Sequence, residues 1–511
     1  MSLALVLHAH LPYVRHPEHD QFLEEYWFYE AMIESHLPLL DVMKRLLEEG
    51  VRFRLTLNLS PTLLAMMRDP LLIARFRRRL AALLELCEKE IARPGAPGEE
   101  QRLARMYRAR WRRLRTVFEG FCRGDIVAGF GRIQEEGSLE ILACAATHAF
   151  LPFLAVNPAA MRAQIAIGVA EYQRHFRRDP RGFWLPECAF APGLDALLAE
   201  QHIRYFILET HGFCHGTPPP EHGTLLPIRT PAGLAAFGRD APSAKQVWSS
   251  AEGYPGDFWY REFYRDIGHA RDLTYIRPYL PAGIRFDTGL KYHRITSKGE
   301  EKRYYVRAKA VERARIHATH FVAQRLAQMA GAPAGAVIVA PYDAELFGHW
   351  WFEGPDWLEA VLRRHPATVT LSEYLEESPP RQLSRPHFSS WGERGYGDVW
   401  LNPQTDWIYP LLHRMADSMR ELARAASPGP LVRRALNQAA RELLLAQSSD
   451  WPFLITRGGA PHYAAARVRR HAETFAWLER NIRRGRIPRA QLESLENHYC
   501  PFPELDYRVY H

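Results

Sequence analysis

Ser2-Leu3-Ala4-Leu5-Val6-Leu7-His8 opens the chain, and its reading decides the fold. The run from Leu3 to Leu7 is apolar without alternation, the pattern of a strand buried on both faces. Residues 22–49 then carry helical spacing and stop at Gly50, a residue suited to the left-handed turn that ends a helix. Arg52-Phe53-Arg54-Leu55-Thr56-Leu57-Asn58-Leu59 alternates and predicts a second strand. Strand, helix, strand in this order begins a parallel α/β architecture.

Outward from that start, residues 70–121 change to long Arg/Glu/Leu/Ala helical stretches, interrupted by Pro94-Gly95-Ala96-Pro97-Gly98. They predict a helical insertion. Strand-like runs resume at 139–143, 183–185, 205–208 and 337–340, with helical pieces at 193–201 and 306–330 between them. Residues 210–255, rich in glycine and holding Pro218-Pro219-Pro220, read as one long loop, and loops of that length are usually functional. Beyond Pro379-Pro380 the pattern is mixed, then helical through 408–447 and 462–484, which predicts a helical C-terminal domain. No internal repeat is evident.

The 511 residues exceed what one simple core holds, so two or three domains are expected. A 47% hydrophobic and 24% charged composition is that of an ordinary globular protein. The 66 basic residues outnumber the 58 acidic ones, for a net charge of +8, and the excess gathers in Arg75-Phe76-Arg77-Arg78-Arg79 and Arg108-Ala109-Arg110-Trp111-Arg112-Arg113-Leu114-Arg115. Acidic residues share the same regions and no recognition motif accompanies them, so solvated helix faces are expected and nucleic acid is not a partner. None of the six cysteines forms a C-x-x-C pair, which argues against a zinc ribbon and for a reducing compartment. The apolar start lacks a basic leader and no stretch is long enough to span a membrane, so a cytoplasmic protein is expected.

Two acidic motifs carry the chemistry. Trp184-Leu185-Pro186-Glu187 and Ala340-Pro341-Tyr342-Asp343-Ala344-Glu345 each run a strand into an acid beside proline and large aromatic residues. One protonated acid, one ionised acid and flat faces that stack sugars are what glycoside chemistry needs. Glu345, two residues past Asp343, competes for its role. His8 and His10 sit two apart at the end of the first strand and point to one side. With His148, His211 or His349 they offer a rival reading, a metal-dependent deacetylase. A non-catalytic glucan-binding protein is a third reading, opposed by the presence of both acids. Trp27, Trp259, Trp391, Trp400 and Trp451 lie in polar or Gly-rich contexts and together lean toward sugar binding.

These segments resemble glycoside hydrolase family 57, and within it the α-glucan branching-enzyme group. His8-Ala9-His10-Leu11-Pro12, residues 131–152 with Glu140, Thr147 and His148, residues 184–189 and residues 341–350 are similar to four successive family motifs. Gln246-Val247-Trp248-Ser249, Ser389-Ser390-Trp391-Gly392-Glu393 and Ser448-Ser449-Asp450-Trp451-Pro452-Phe453 extend the likeness over nearly the whole chain. The resemblance implies an incomplete (β/α)7 barrel at residues 1–70 and 160–378, a mainly helical insertion at 71–159 and a mainly helical domain at 379–511. It implies a retaining mechanism without metal or organic cofactor, acting on an α-1,4-glucan; a monomer or small homo-oligomer is expected. Glu187 would be the nucleophile and Asp343 the acid/base, with carboxyls about 5–7 Å apart. His8, His10, His148, Trp27, Trp259, Trp391, Trp400, Asp450 and Trp451 would bind the glucan. One departure stands out. Relatives carry a mobile loop over the site with a tyrosine near its tip, and the matching position here is Leu225 in His222-Gly223-Thr224-Leu225-Leu226. A leucine can exclude water but cannot donate a hydrogen bond, so weakened transfer and raised hydrolysis are expected, in the limit an amylase-like hydrolase.

Overall fold

The computed structural model describes residues 2–249, 252–365, 367–424 and 428–511; Met1 of the opening run lies outside them. Its centre is one sheet of β1 (Ser2–Ala9), β2 (Leu55–Leu59), β3 (Leu139–Cys144), β4 (Gly182–Trp184), β5 (Tyr205–Leu208), β6 (Ile228–Arg229), β7 (Ala235–Gly238) and β8 (Val337–Asp343). The strand order is β6-β7-β5-β4-β3-β2-β1-β8. All but β6 pair in parallel, and β6 lies antiparallel on the edge of β7. The sheet curls until Asp240, just past β7, donates its N–H to the Val339 carbonyl of β8 at 2.9 Å. This is the incomplete seven-unit α/β barrel.

β1 runs between β2 and β8, and Leu3 to Leu7 are each no more than 1% exposed, as an unbroken apolar strand requires. The following helix comes in three pieces: Glu25–Ala31, a π-helical turn Met32–His36, and Leu37–Glu48. The π turn brings the Glu34 carbonyl so close to Gly348 that a Cβ there would lie 1.8 Å from it, and Gly348 has φ +114°. Only glycine fits that contact, which holds the loop after β8 against the barrel's first helix.

Three boundaries differ from expectation and one helical stretch divides. β3 falls within residues 71–159 yet is a barrel strand paired to β2 and β4, so the insertion, with its helices Pro70–Ala92 and Gly98–Thr116, ends before Leu139. Residues 210–255 are not one loop. They contain the helix Thr210–Cys214, β6, β7 and the helix Ala241–Trp248, because the short apolar run 234–237 is enough for a strand once β5 is there to pair with it. The helical stretch 408–447 comes as two helices, Ile408–Ala423 and Pro430–Ala446, with Pro430 placed at the first turn of the second. Finally, residues 383–391 lace onto the barrel instead of joining the C-terminal bundle, through Arg229–Leu383, Thr217–Arg385 and Phe190–Ser389 bridges. The bundle proper has a separate apolar core built largely from Ile408–Ala423, Pro430–Ala446 and Pro461–Arg483.

Much of the arginine excess is paired. Arg77 meets Glu119 at 2.8 Å, while Arg108 and Arg112 share Glu88 at 2.7 and 2.8 Å. Among the described residues no helix is long and apolar enough to cross a membrane.

Candidate active site

The C-terminal ends of the barrel strands surround a cavity of about 740 Å³. Strand ends of one face are where such folds place their chemistry. His8 comes from β1, in register with Asn58 of β2 on one side and Asp343 of β8 on the other. Glu187 follows β4, Arg239 follows β7 and His148 follows β3. Asp450, first residue of the helix Asp450–Arg457, enters from the C-terminal bundle.

Glu187 sits in a tight turn with φ 62°, a left-handed conformation that costs a non-glycine residue about 1–2 kcal/mol. Trp391 holds it there twice. Its backbone N–H donates to the Glu187 carbonyl at 2.9 Å, and its indole N–H donates to Oε2 at 2.7 Å. The Ser449 hydroxyl donates to Oε1 at 3.3 Å. At about 1 kcal/mol each, such bonds offset the backbone strain. An indole N–H can only donate, so Trp391 favours the ionised carboxyl. Burial nevertheless dominates and pushes Glu187 up to about 8, with the charges of Asp343 and Asp450 adding to it.

Asp343 ends β8. Burial raises it to about 6, against the opposing charges of Arg239 and His10, and no hydrogen bond contributes. By these directions Asp343 ionises before Glu187, the reverse of what their expected roles require. The hydrogen-bonding pattern points the other way: Glu187 is ringed by donors, while Asp343 is free to hand on a proton. A bound polyol excludes water and changes the solvation of both acids, which leaves the donors around Glu187 to set the order. Glu345 also borders the cavity. Burial and the charge of Asp343 push it well up, and its Oε1 accepts the His10 N–H at 3.3 Å. It is a neighbour of Asp343 that also faces His36 at 3.5 Å.

The histidines form a column. Trp184, His8, His148 and His10 stack with successive centroid separations of 4.7, 4.8 and 3.8 Å. Four of their six ring nitrogens are taken, His8 Nδ1 by Asn58 at 2.8 Å, His10 Nδ1 by Ser60 at 2.8 Å, His10 Nε2 by Asp450 at 2.9 Å and His148 Nδ1 by Ser449 at 2.9 Å, while His148 Nε2 is buried without a partner. Stacked rings send their lone pairs out in parallel, whereas metal ligands converge, so this column suits polar contacts to hydroxyls. The one imidazole–carboxylate group with ligand spacing among the described residues is His16, Glu18 and His498. Arg467 lies 3.5 Å from His16 Nε2, a poor neighbour for a cation.

The tryptophans separate. Trp391 lines the cavity, but as the donor to Glu187 rather than as a stacking platform. Trp400 is 1% exposed and stacked on Phe150 at 4.6 Å, so it is wall. Trp451 is fully buried, donates to the Leu445 carbonyl at 2.7 Å and belongs to the bundle core; it cannot stack a sugar. Trp27 packs edge-on to Tyr463 and Trp259 lies under Arg294, both outside the cavity lining. The exposed indoles at the cavity are Trp248 and Trp350, 50% and 54% exposed. Neither was singled out for this role from sequence, although each stands in a segment noted for its pattern. Arg239 was missed too; its signal is a lone cation ending an apolar run. Leu225 does not line the cavity. Its turn, Gly223–Leu225, packs against the helix Thr210–Cys214, β7 and β8, because an apolar side chain there has a core to join.

Residues 4–386 match Glycosyl hydrolase family 57, and residues 411–510 match the C-terminal region of 1,4-alpha-glucan branching enzyme. A 1,4-alpha-glucan branching enzyme of Thermococcus kodakarensis is 36% identical over 98% of this chain and 77% of its own. Among solved structures, an alpha-amylase of Thermotoga maritima superposes with a TM-score of 0.93 at 41% identity, covering 100% of this chain and 98% of that one. A branching enzyme of Pyrococcus horikoshii gives 0.89 at 34% identity, covering 100% and 96%.

Proposed function

The chain belongs to glycosyl hydrolase family 57, and from that premise we propose that it is a retaining α-1,4-glucan enzyme that both transfers and hydrolyses. Glu187 attacks the anomeric carbon and forms a glycosyl-enzyme. Asp343 protonates the departing glycosidic oxygen, then takes the proton of the incoming acceptor. The observation that carries this reading is the clamp of Trp391 and Ser449 on Glu187, which fixes a carboxylate among donors while Asp343 shares its cavity without a hydrogen bond. His10, held by Ser60 and Asp450, contacts sugar hydroxyls, and the exposed faces of Trp248 and Trp350 stack glucose rings at the mouth.

The acceptor decides the product. A sugar hydroxyl gives an α-1,6 branch and water gives hydrolysis. The Leu225 turn packs into the barrel seam, so it leaves the acceptor side to Trp248 and Trp350. That arrangement supports a large hydrolytic share, and the two kinds of relative, amylase and branching enzyme, fit such a mixture. Linkage analysis of amylose after digestion tests it: new α-1,6 linkages together with new reducing ends are expected, and reducing ends without any branch would remove the transferase half.

A further inference from the structure

A second cavity, of about 430 Å³, lies on the outer side of the barrel, between its helices and the insertion. Four helices line it: Leu37–Glu48, Gly98–Thr116, Arg307–Met329 and Gly354–Arg364. Seven guanidinium groups face it against the carboxylates of Asp41, Asp356 and Glu359, a surplus of four positive charges. Each acid already holds an arginine, and Asp356 keeps its second oxygen, Oδ2, buried without a partner. Asp41 takes Arg113 at 2.8 Å, Asp356 takes Arg307 at 2.6 Å, and Glu359 takes Arg45 at 2.5 Å and Arg363 at 2.7 Å. Arg110, Arg315 and Arg364 have no carboxylate within ion-pair reach among the described residues.

Three guanidinium N–H groups of the lining are also buried without an acceptor: Arg45 Nε, Arg110 Nη2 and Arg307 Nη1. Buried donors are normally satisfied, so these call for an oxygen-rich partner. The Phe352 ring, 4.6 Å from the Arg110 guanidinium and 5.6 Å from that of Arg307, supplies only a cation–π contact. Such a contact compensates charge weakly and accepts no second in-plane bond. Arginine forks match phosphate oxygens in pairs, and the volume is that of a small-molecule site.

We propose that this cavity is a binding site for a small phosphorylated metabolite, one that carries at least two negative charges and bridges Arg110, Arg315 and Arg364. It is separate from the catalytic cavity and independent of the reaction assigned above. The test is calorimetric titration of the full chain with inorganic pyrophosphate and, separately, with ADP, in about 150 mM NaCl, where exposed charges are screened beyond roughly 8 Å. Saturable one-to-one binding of either probe is expected, weakened about tenfold or more in Arg315→Ala/Arg364→Ala. Both positions are exposed, and unchanged amylose turnover in the variant would show that it is folded. Absence of heat with both probes at ~10 mM overturns the proposal, that level being far weaker than a built phosphate site. Equal affinity in the variant overturns it as well. So does displacement by equimolar sulfate, which marks an unselective counter-ion cloud.

Discussion

The catalytic cavity and the arginine cavity each bury like charges, acids in one and guanidiniums in the other, and they relieve the repulsion by different routes. Glu187, Asp343 and Glu345 are all pushed up by burial, so a proton can neutralise any of them. Burial and the neighbouring Arg307 charge push Arg110 down, but a guanidinium keeps its proton at any physiological pH. Asp356 answers part of that charge, and the surplus left over calls for an anion. A carboxylate cluster is therefore a device for moving protons, and a guanidinium cluster one for holding ligands. The same property of burial would serve catalysis in one place and recognition in the other.

The sharpest way to break this contrast is to remove the proton-moving groups. Glu187→Gln and Asp343→Asn should each lower amylose turnover about a thousandfold or more while retention on an amylose column stays near that of the native chain. Azide distinguishes the two roles on an activated α-glucoside. Glu187→Ala with azide should yield the β-glucosyl azide, since azide enters on the face the carboxylate vacated. Asp343→Ala should yield the α-product, formed by azide attacking the glycosyl-enzyme. Exchanged products would exchange the assignments. Full activity in either variant would end them.

Next in size is the clamp. Trp391→Phe keeps the ring but deletes the N–H that favours ionised Glu187. Turnover should fall about tenfold, the worth of one hydrogen bond to a charged group. The acidic limb of the pH–rate profile should move to higher pH, because the lost bond favoured the carboxylate. An unmoved limb would show that Trp391 acts only as packing.

How much of this was legible beforehand follows from what each signal depends on. β1 and β8 announce themselves because a strand covered on both faces must be apolar throughout. The acids at their ends and after β4 are equally plain. β6 and β7 were hidden within a glycine-rich stretch, since four apolar residues become a strand only when β5 supplies the partner. The tryptophans show the same limit at the site. Local context marked Trp451 as polar-flanked, yet Ser449 and Asp450 turn toward the cavity while the indole turns into the bundle core. Which face a side chain takes is a property of the packed helix, and a neighbouring serine does not report it. Trp391's bond to Glu187 joins residues 204 apart and has no local signature.

A smaller effect tests the electrostatics of the acid cavity alone. Glu187 holds its proton more tightly folded, at about 8, than an ordinary carboxyl does near 4.3. Its contribution to stability is thus complete below about pH 4 and declines as pH rises toward 8. Glu187→Gln removes the decline. Its melting temperature should exceed that of the native chain by about 1–3 °C at pH 8.5 and coincide with it near pH 5. A variant less stable at both pH values would mean that the ionised carboxylate is the better-solvated form, and that the donors outweigh burial even without substrate.

The smallest expected effect concerns Leu225, and here a near-null result carries the information. If this position acted on the acceptor, Leu225→Tyr would add the missing hydroxyl and raise the proportion of α-1,6 linkages. The turn instead packs against Thr210–Cys214, β7 and β8, and Thr224 beside it already presses on Gly238, whose added Cβ would lie 2.6 Å from the threonine methyl. A tyrosine there must either displace this packing or swing outward, away from the catalytic cavity. Linkage ratios should stay within experimental error while stability drops by about 1 kcal/mol, the usual scale for overfilling a partly buried site. A marked gain in branching would place this turn over the acceptor during turnover, and the mixed outcome proposed for this enzyme would then trace to a single side chain.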